Sequence, residues 1–495
     1  MRERFTLRAW PLTPIHIGTG EELTPESFVL EGDRLRRFNP FGALSRASDA
    51  DREQYRKLLA GGDFVGAQKL LARLAMVETA AAGPEIAVSP ESRRDIQKVL
   101  DGQSIGKGGV RPMVRGGDAP ILPGSSLKGA LRTAWISVHV PGRQEGEIAA
   151  SIDGTRTGRA HNRLNREALE MSGDGVLEQD PFRDVAVADA PIPSGRTRFD
   201  RATLGKLDKS GAGLAFDQTG GIQMHVERLE SLIDGALVEP FEIAIDILPA
   251  ALVDSRAKRG TREDRRANGQ KRIVPKTAIG AAKLWAAVNG FHAALWRYEH
   301  QRFYPSGGAG LALQRVLAKF GLRDDETLAD QLDQDGLVLV RLGRYAQFES
   351  KAVKVGGERH GVKARIKDRP AALMDEGGTR TTVQVQPGLH VPFGWLMLAL
   401  PGKGPSGALT LDLSDLARTA PPAAPSGAAP GRPAAAAPVQ ATAAPAGRVR
   451  FRKGQRVTHP VHGDAIVLRD VGMTDRVVDV DFGDESGEWP IDGWK

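Results

Sequence analysis

The run Ile121-Leu-Pro-Gly-Ser-Ser-Leu-Lys-Gly-Ala-Leu-Arg-Thr-Ala-Trp135 carries the side chains whose types and spacing come nearest to chemistry. Pro123-Gly124 makes a turn, and Ser125 or Ser126 can cap the helix that follows. Backbone N–H groups and the dipole at such a helix start attract an anion. Lys128 and Arg132 lie four apart, on one face and close to that end. Gly129 permits another backbone to approach. The reading is a helix start that contacts phosphate. An ordinary capped helix with a solvated Lys and Arg is the plainer alternative. The Gly-x4-Gly-Lys-[Ser/Thr] spacing of a nucleotide-binding P-loop is absent.

Other catalytic chemistries find little support. There are no cysteines, which excludes disulfides, thiol nucleophiles and Cys-based metal sites. Four of the 10 histidines, His16, His139, His161 and His225, are scattered candidates for general acid/base chemistry. No Ser-His-Asp or HExxH pattern occurs. Glu21 and Glu22 follow the opening strand, and Asp101 and Asp118 precede the helix, without the spacing of a metal cage. Asp180, Asp184 and Asp189 cluster in sequence, but an odd spacing turns Asp184 and Asp189 to opposite sides of a strand. An ion pair of Asp184 with Arg183 or another Arg is the favoured reading. His292 and His300 read as packing or surface residues beside an aromatic stripe of Trp285, Phe291, Trp296 and Tyr298. No catalytic residue, metal or cofactor is therefore expected.

The elements that must position the helix motif form a mixed set. Phe5–Pro11 and Ser27–Leu30 read as strands, Asp49–Ala82 as helical, Ser125–Val140 as a helix. Val185–Ala190, Gly221–Arg228, Phe241–Leu248, Leu337–Arg341 and Trp395–Ala399 read as strands, and Ala278–Tyr298 as a helix. The class is α+β. Insertions are expected near 49–110, 142–178 and 251–276. The last contains Arg256–Lys276, with nine Lys/Arg against two acids and no apolar periodicity. Between Thr419 and Arg448, 20 of 30 residues are Ala or Pro, which reads as an extended linker. It divides a region 1–418 from a tail, 449–495.

The tail alternates short strands with breaks at Gly463 and Gly483. The pattern Gly454-Gln-Arg-Val-Thr-His-Pro-Val-His-Gly463, then Val-Asp-Val-Asp-Phe482, resembles the Tudor-like barrel that ends some bacterial repair helicases. A small all-β SH3/Tudor-like barrel is expected. With 7 basic and 9 acidic residues it suits a protein partner better than a nucleic acid. The whole chain of 495 residues carries a net +7, a mild tilt toward polyanions. No apolar run approaches a membrane span and no signal peptide is evident, so the chain reads as cytoplasmic with no membrane contact.

Pro123-Gly-Ser-Ser-Leu-Lys-Gly-Ala-Leu-Arg132 is similar to the signature helix of RAMP proteins, the RNA-binding proteins of CRISPR systems. Four further blocks follow the family's order. Leu12-Thr-Pro-Ile-His-Ile-Gly-Thr-Gly20 resembles the opening strand and loop of the Csm-type members. Asp180-Pro-Phe-Arg-Asp184 with Val185–Asp189 resembles their mid-chain strand. Arg341-Leu-Gly-Arg-Tyr-Ala-Gln-Phe-Glu-Ser-Lys351 resembles their late Gly-rich loop, and Pro392-Phe-Gly-Trp-Leu396 their closing strand. The arrangement looks most like the subunit that caps the backbone filament of type III-A effector complexes; the linker and tail depart from that pattern.

The resemblance implies a ferredoxin-like, RRM-type core with large insertions that binds single-stranded guide RNA. Sequence-independent binding needs phosphate contacts and close backbone approach. The residues it points to are His16, Gly18, Gly20, Arg115, Gly124, Ser125, Ser126, Lys128, Arg132, Arg344 and Lys351. Gly102–Arg115 is a candidate wedge between bases. The implied function is a non-catalytic structural subunit that caps the filament at the 3′ part of the guide. Its partners would be guide RNA, neighbouring RAMP subunits and target RNA. The rivals are a metal-dependent RAMP endoribonuclease and a protein-interaction scaffold.

Overall fold

The computed structural model describes residues 2–77, 82–103, 109–139, 166, 169, 171, 179–208, 213–216, 224–249, 278–351, 363–365, 372–374, 378–416, 449–451, 456–459, 463–467, 471–472, 477–481 and 486–490. The basic stretch 256–276, most of the insertion 142–178, His161 and the linker lie outside them. The chain divides into two units, Met1–Ala424 and Pro425–Lys495.

In the first unit the elements used below are β1 (Glu3–Pro11), β2 (Phe28–Glu31), β3 (Arg34–Phe38), α1 (Asp49–Ala60), α2 (Phe64–Val77), β4 (Ala82–Val88), α3 (Gly124–His139), β5 (Val185–Val187), β6 (Thr197–Leu207), β7 (Met224–Leu229), β8 (Phe241–Ile247), α4 (Ala281–Phe303), β9 (Leu337–Arg341), β10 (Thr379–Gln386), β11 (Leu389–Pro392) and β12 (Trp395–Ala399). The strands expected at the two ends of the unit and the two long helices fall within a few residues of their expected bounds. Asp49–Ala82 is not one helix. It breaks into α1 and α2 at Gly61–Gly62 and then turns into β4, and Leu59 and Met76 are left 39% and 52% exposed.

The first sheet has five strands in the order β9-β12-β1-β8-β5, antiparallel throughout. The chain path through it is strand–helix–strand–strand–helix–strand, with β9 added at one edge: β1, α3, β5, β8, α4, then β9 and β12. The apolar runs Leu-Val-Leu-Val of β9 and Trp-Leu-Met-Leu-Ala of β12 are buried at every position, the pattern of strands covered on both faces. α3 and α4 pack against each other, α4 also against β9 and α3 against β5. Leu284, Trp285, Val288, Phe291, Leu295 and Trp296 recur at helical spacing and are buried, so the aromatic stripe is core. His292 and His300 are buried with it.

The second sheet runs β11-β10-β6-β4-β3-β2, with β7 and two shorter strands attached. β6 is its hub: it pairs with β7, β10 and β4. The region 49–110, expected as an insertion, contributes to this sheet. Its second half supplies β4, and Val110–Arg111 pairs in parallel with β7 at His225–Val226. That pairing removes residues 110–111 from any free wedge; 104–108 lie outside the described residues.

In the second unit, Arg456–His459, Gly463–Val467, Val477–Asp481 and Ser486–Pro490 form a four-stranded antiparallel sheet, and Val449–Phe451 pairs with Val471–Gly472.

Candidate nucleic-acid interface

The antiparallel register brings distant segments to one end of the first sheet. The last residue of β1, Pro11, faces Leu396 at the start of β12, and the last residue of β9, Arg341, faces Trp395. The segments Leu12–Gly20, Leu342–Lys351 and Pro392–Gly394 therefore leave from the same edge. Backbone bonds sew them together. Leu12 N–H donates to the Trp395 carbonyl at 2.9 Å, Gly394 N–H to Pro14 at 2.8 Å, Leu342 N–H to Gly394 at 2.9 Å and Arg344 N–H to His16 at 2.9 Å. Gly343 has φ +95°, and a Cβ there would lie 2.7 Å from the His16 carbonyl oxygen. Only glycine permits both that conformation and that contact.

Between these loops and the start of α3 lies a cleft of about 530 Å³. One wall is the Gly18–Gly20 loop. A second is a stripe of small residues on α3, among them Ser125, Ser126, Gly129 and Thr133, one helical turn apart. The third holds Arg341, Gly343, Arg344, Ser350 and Lys351. Among the described residues no carboxylate forms an ion pair with Arg344 or Lys351. Lys351 Nζ donates to the Arg344 carbonyl at 2.8 Å. Burial, then the Arg341 and Arg344 guanidiniums, push its amine down to about 8. Arg344 and Lys351 are thus cations with no paired acid among the described residues, whereas Arg341 behind them is paired with Glu299.

Of the eleven residues singled out from the sequence, Gly18, Gly20, Ser125, Ser126, Arg344 and Lys351 line this cleft. The other five do not. His16 is 1% exposed. Its Nδ1 lies 2.6 Å from the Glu227 carbonyl oxygen, and its ring stacks on Tyr345 at 5.8 Å. Burial, opposed only in part by that bond, lowers its pKa to about 4, so it is a neutral wall residue behind the cleft rather than an RNA contact. Arg115 is tied to the buried Glu227 carboxylate and to the Asp118 carbonyl. Glu227 also accepts from Thr197 Oγ1 and from Met113 N–H. Arg115 therefore positions a loop and is not available to a phosphate.

Gly124 is required by close approach, since a Cβ would lie 2.1 Å from the Val187 carbonyl oxygen. Its N–H donates to Asp189 Oδ1 at 2.8 Å. The cap of α3 is thus a carboxylate from another segment, not Ser125 or Ser126, and it partly neutralises the positive helix end. Arg132 donates to Asp180 Oδ2 at 2.9 Å and lies over Phe182. Lys128 is half-buried beside Asp180, Arg2 and Arg132, its amine lowered chiefly by burial. Both stand on the flank of α3 outside the cleft lining, whereas Arg344 and Lys351 line it.

The acids weighed as metal ligands are placed apart. Asp180 binds Arg132 and the Phe182 N–H, Asp189 caps α3, and Glu22 lies 3.3 Å from Arg111. Among the described residues no three His, Asp or Glu gather as a metal site. His225 is buried against Ser92 Oγ at 3.0 Å, and burial lowers its pKa to about 4. No described helix is long and apolar enough to cross a membrane. Sequence reasoning missed Arg341 as a cleft residue and Glu299, Glu349 and Arg380 beneath it. Only Arg341 carried a local signal, as a charge ending the apolar run Leu337–Val340; Glu299, Glu349 and Arg380 stand in polar sequence that gives none.

A profile of the RAMP superfamily matches residues 11–299. Among solved structures, a chain of a type III-A CRISPR-Cas Csm-crRNA-target RNA ternary complex is similar at 16% identity, over 80% of this chain and 100% of that one, with a TM-score of 0.45. Csm5 of T. onnurineus is similar at 13% identity, over 79% of this chain and 99% of that one, with a TM-score of 0.40. No curated protein matches the sequence.

Proposed function

From the premise that this chain belongs to the RAMP superfamily, we propose that it is a guide-RNA-binding structural subunit of a type III CRISPR ribonucleoprotein. It caps the filament of RAMP subunits at the 3′ part of the guide, in the cytoplasm, and does not itself cut RNA. The observation that carries the reading is the convergence of the Gly18–Gly20 loop, the Ser125–Ser126 helix start and the Arg344–Lys351 segment on one cleft. Three of the five family-like blocks line it, and the Pro392–Leu396 block holds two of them in place. The strand order, once β9 is set aside, is that of a ferredoxin-like fold and supports an RRM-type core.

The cleft suits a phosphodiester backbone better than a base. Its lining is glycine, hydroxyl and cation apart from Ile17, Ala130 and Leu342, with no aromatic platform, and such contacts hold any sequence equally. The tail is proposed as an SH3/Tudor-like domain that contacts a protein partner. A non-catalytic role rests on the engagement of Asp180, Asp189 and Glu22 in structural contacts. The test is a tagged pull-down from the native host with sequencing of bound RNA. RNAs of uniform length with a shared repeat-derived 5′ tag, together with other RAMP subunits, are the expected result. Partners without such RNA would overturn the reading in favour of a scaffold. Chelator-sensitive cutting of a bound target by the purified chain would overturn the non-catalytic part alone.

A further inference from the structure

Beneath the floor of the cleft four charged side chains are sealed from water: Arg341, Glu299, Arg380 and Glu349 are each at most 1% exposed. Arg380 Nε donates to Glu299 Oε1 at 2.9 Å and its Nη2 to Glu349 Oε1 at 3.0 Å, while its guanidinium lies 3.6 Å from the centre of the Phe303 ring. The other oxygen of Glu299 lies 2.6 Å from Arg341 Nη1 and accepts the Trp395 indole N–H at 2.9 Å. Glu349 sits in the turn Phe348–Ser350, directly before Lys351. Arg380 itself belongs to β10 on the second sheet and does not line the cleft.

Resting on the RNA-binding reading above, we propose that Arg380 is a positioning residue for the cleft: through Glu299 and the buried Arg341 it fixes the end of β9, and through Glu349 the Phe348–Lys351 turn, so that Arg344 and Lys351 stand where the RNA phosphates meet them. Two carboxylates in one buried space repel unless a cation lies between them. The planar guanidinium fork reaches both with separate edges, which a lysine ammonium cannot do. One of the two carboxylates holds Arg341 and the other anchors the turn. A buried ion cluster is weak evidence for stability, because apolar side chains of similar volume often serve that end better. Its position, joining the second sheet to two elements of the cleft, assigns it to geometry instead.

The test uses the full chain carrying Arg380→Lys or Glu349→Gln, with two readouts. The first is amide hydrogen exchange without RNA. Arg380→Lys is expected to speed exchange across 346–351 by about tenfold or more while leaving 127–135 of α3 unchanged. The second is affinity for a single-stranded oligouridylate. Arg380→Lys is expected to weaken it about tenfold, and Lys351→Ala to cost less in that background than in the wild type, because coupled residues are not additive. Glu349→Gln keeps the hydrogen bond to Arg380 and folds if Arg380→Lys does not; a loss of about threefold is expected. Unchanged exchange over 346–351, or losses from Arg380→Lys and Lys351→Ala that add in full, would overturn the proposal. If the wild type fails to bind the oligouridylate, the RNA-binding reading falls, and the exchange experiment alone decides whether Arg380 holds the turn.

Discussion

Replacing Arg344 and Lys351 together by alanine tests the cleft against the helix flank as the proposed RNA site. The Arg344 side chain is exposed, and Lys351 donates only to the Arg344 carbonyl, so neither supports the core. Lys351 is held low by burial and by two neighbouring guanidiniums. Its removal relieves repulsion, and the melting temperature is expected to stay the same or rise slightly. The binding loss is of a different order. Charge-assisted hydrogen bonds contribute about 1.5–3 kcal/mol each, so the double variant is expected to bind single-stranded RNA at least tenfold more weakly. Each phosphate contact on a single strand adds about 0.7 to the slope of log affinity against log salt. Losing two lowers the slope by about 1.4, which makes the ratio of affinities at 50 and 200 mM salt smaller by about sevenfold. Fluorescence anisotropy over a salt series measures both quantities. In the matched control, Lys128→Ala with Arg132→Ala, the slope is expected to change by less than about half a unit, since Arg132 is already paired with Asp180. A full slope change in the control, with none in the Arg344/Lys351 variant, would refute the placement of the RNA.

Binding to RNA is expected to fall as pH rises from 7 to 9.5, because Lys351 is charged below about 8 and neutral above it; Lys351→Arg removes this dependence in a pH series of affinities. Folding stability is expected to fall as pH drops from about 6.5 toward 4. The folded-state pKa values of His16 and His225 are lowered to about 4, so the unfolded chain binds protons first, and each group withdraws about 3 kcal/mol across that window. Denaturant titrations at pH 7 and pH 4.5 read this, and His16→Gln is expected to flatten the difference. Gly343→Ala forces a side chain into φ +95° against the His16 carbonyl and is expected to cost about 1–3 kcal/mol with weaker RNA binding; thermal melts and anisotropy check it. Truncation after Arg418 is expected to leave RNA affinity unchanged in the same assay, since the first unit contains the whole cleft.

What could be read from the sequence follows from the range over which each determinant acts. Strand and helix periodicity is local, and the buried runs of β9 and β12 appear where their composition places them. The break between α1 and α2 was hidden because leucines continue on either side of Gly61–Gly62, and the apolar pattern does not register which of them lose their cover. The cleft was legible only as separate blocks. Glycines at 18, 20 and 343 and the serines at 125 and 126 signal close approach and a helix start by type alone. Nothing local says that Arg341 and Trp395 are register partners, yet that pairing is what brings the Gly343 loop to Gly18.

Charge was the least legible property. Arg115, Arg132, Arg344 and Lys351 look equivalent as basic residues in polar surroundings, and their fates divide by the presence of an acid distant in sequence. Glu227 lies 112 residues from Arg115 and Asp180 lies 48 from Arg132, whereas no described carboxylate reaches Arg344. A cation paired in the folded chain must lose its partner before it meets a phosphate, and a buried pair charges several kcal/mol for that exchange. An unpaired one gains an attraction at no such cost. The binding surface of a basic protein is therefore set less by where its arginines lie than by where its carboxylates fail to follow them. In this fold Arg344 and Lys351 line the cleft with no paired acid among the described residues, and on that ground they are the proposed contact.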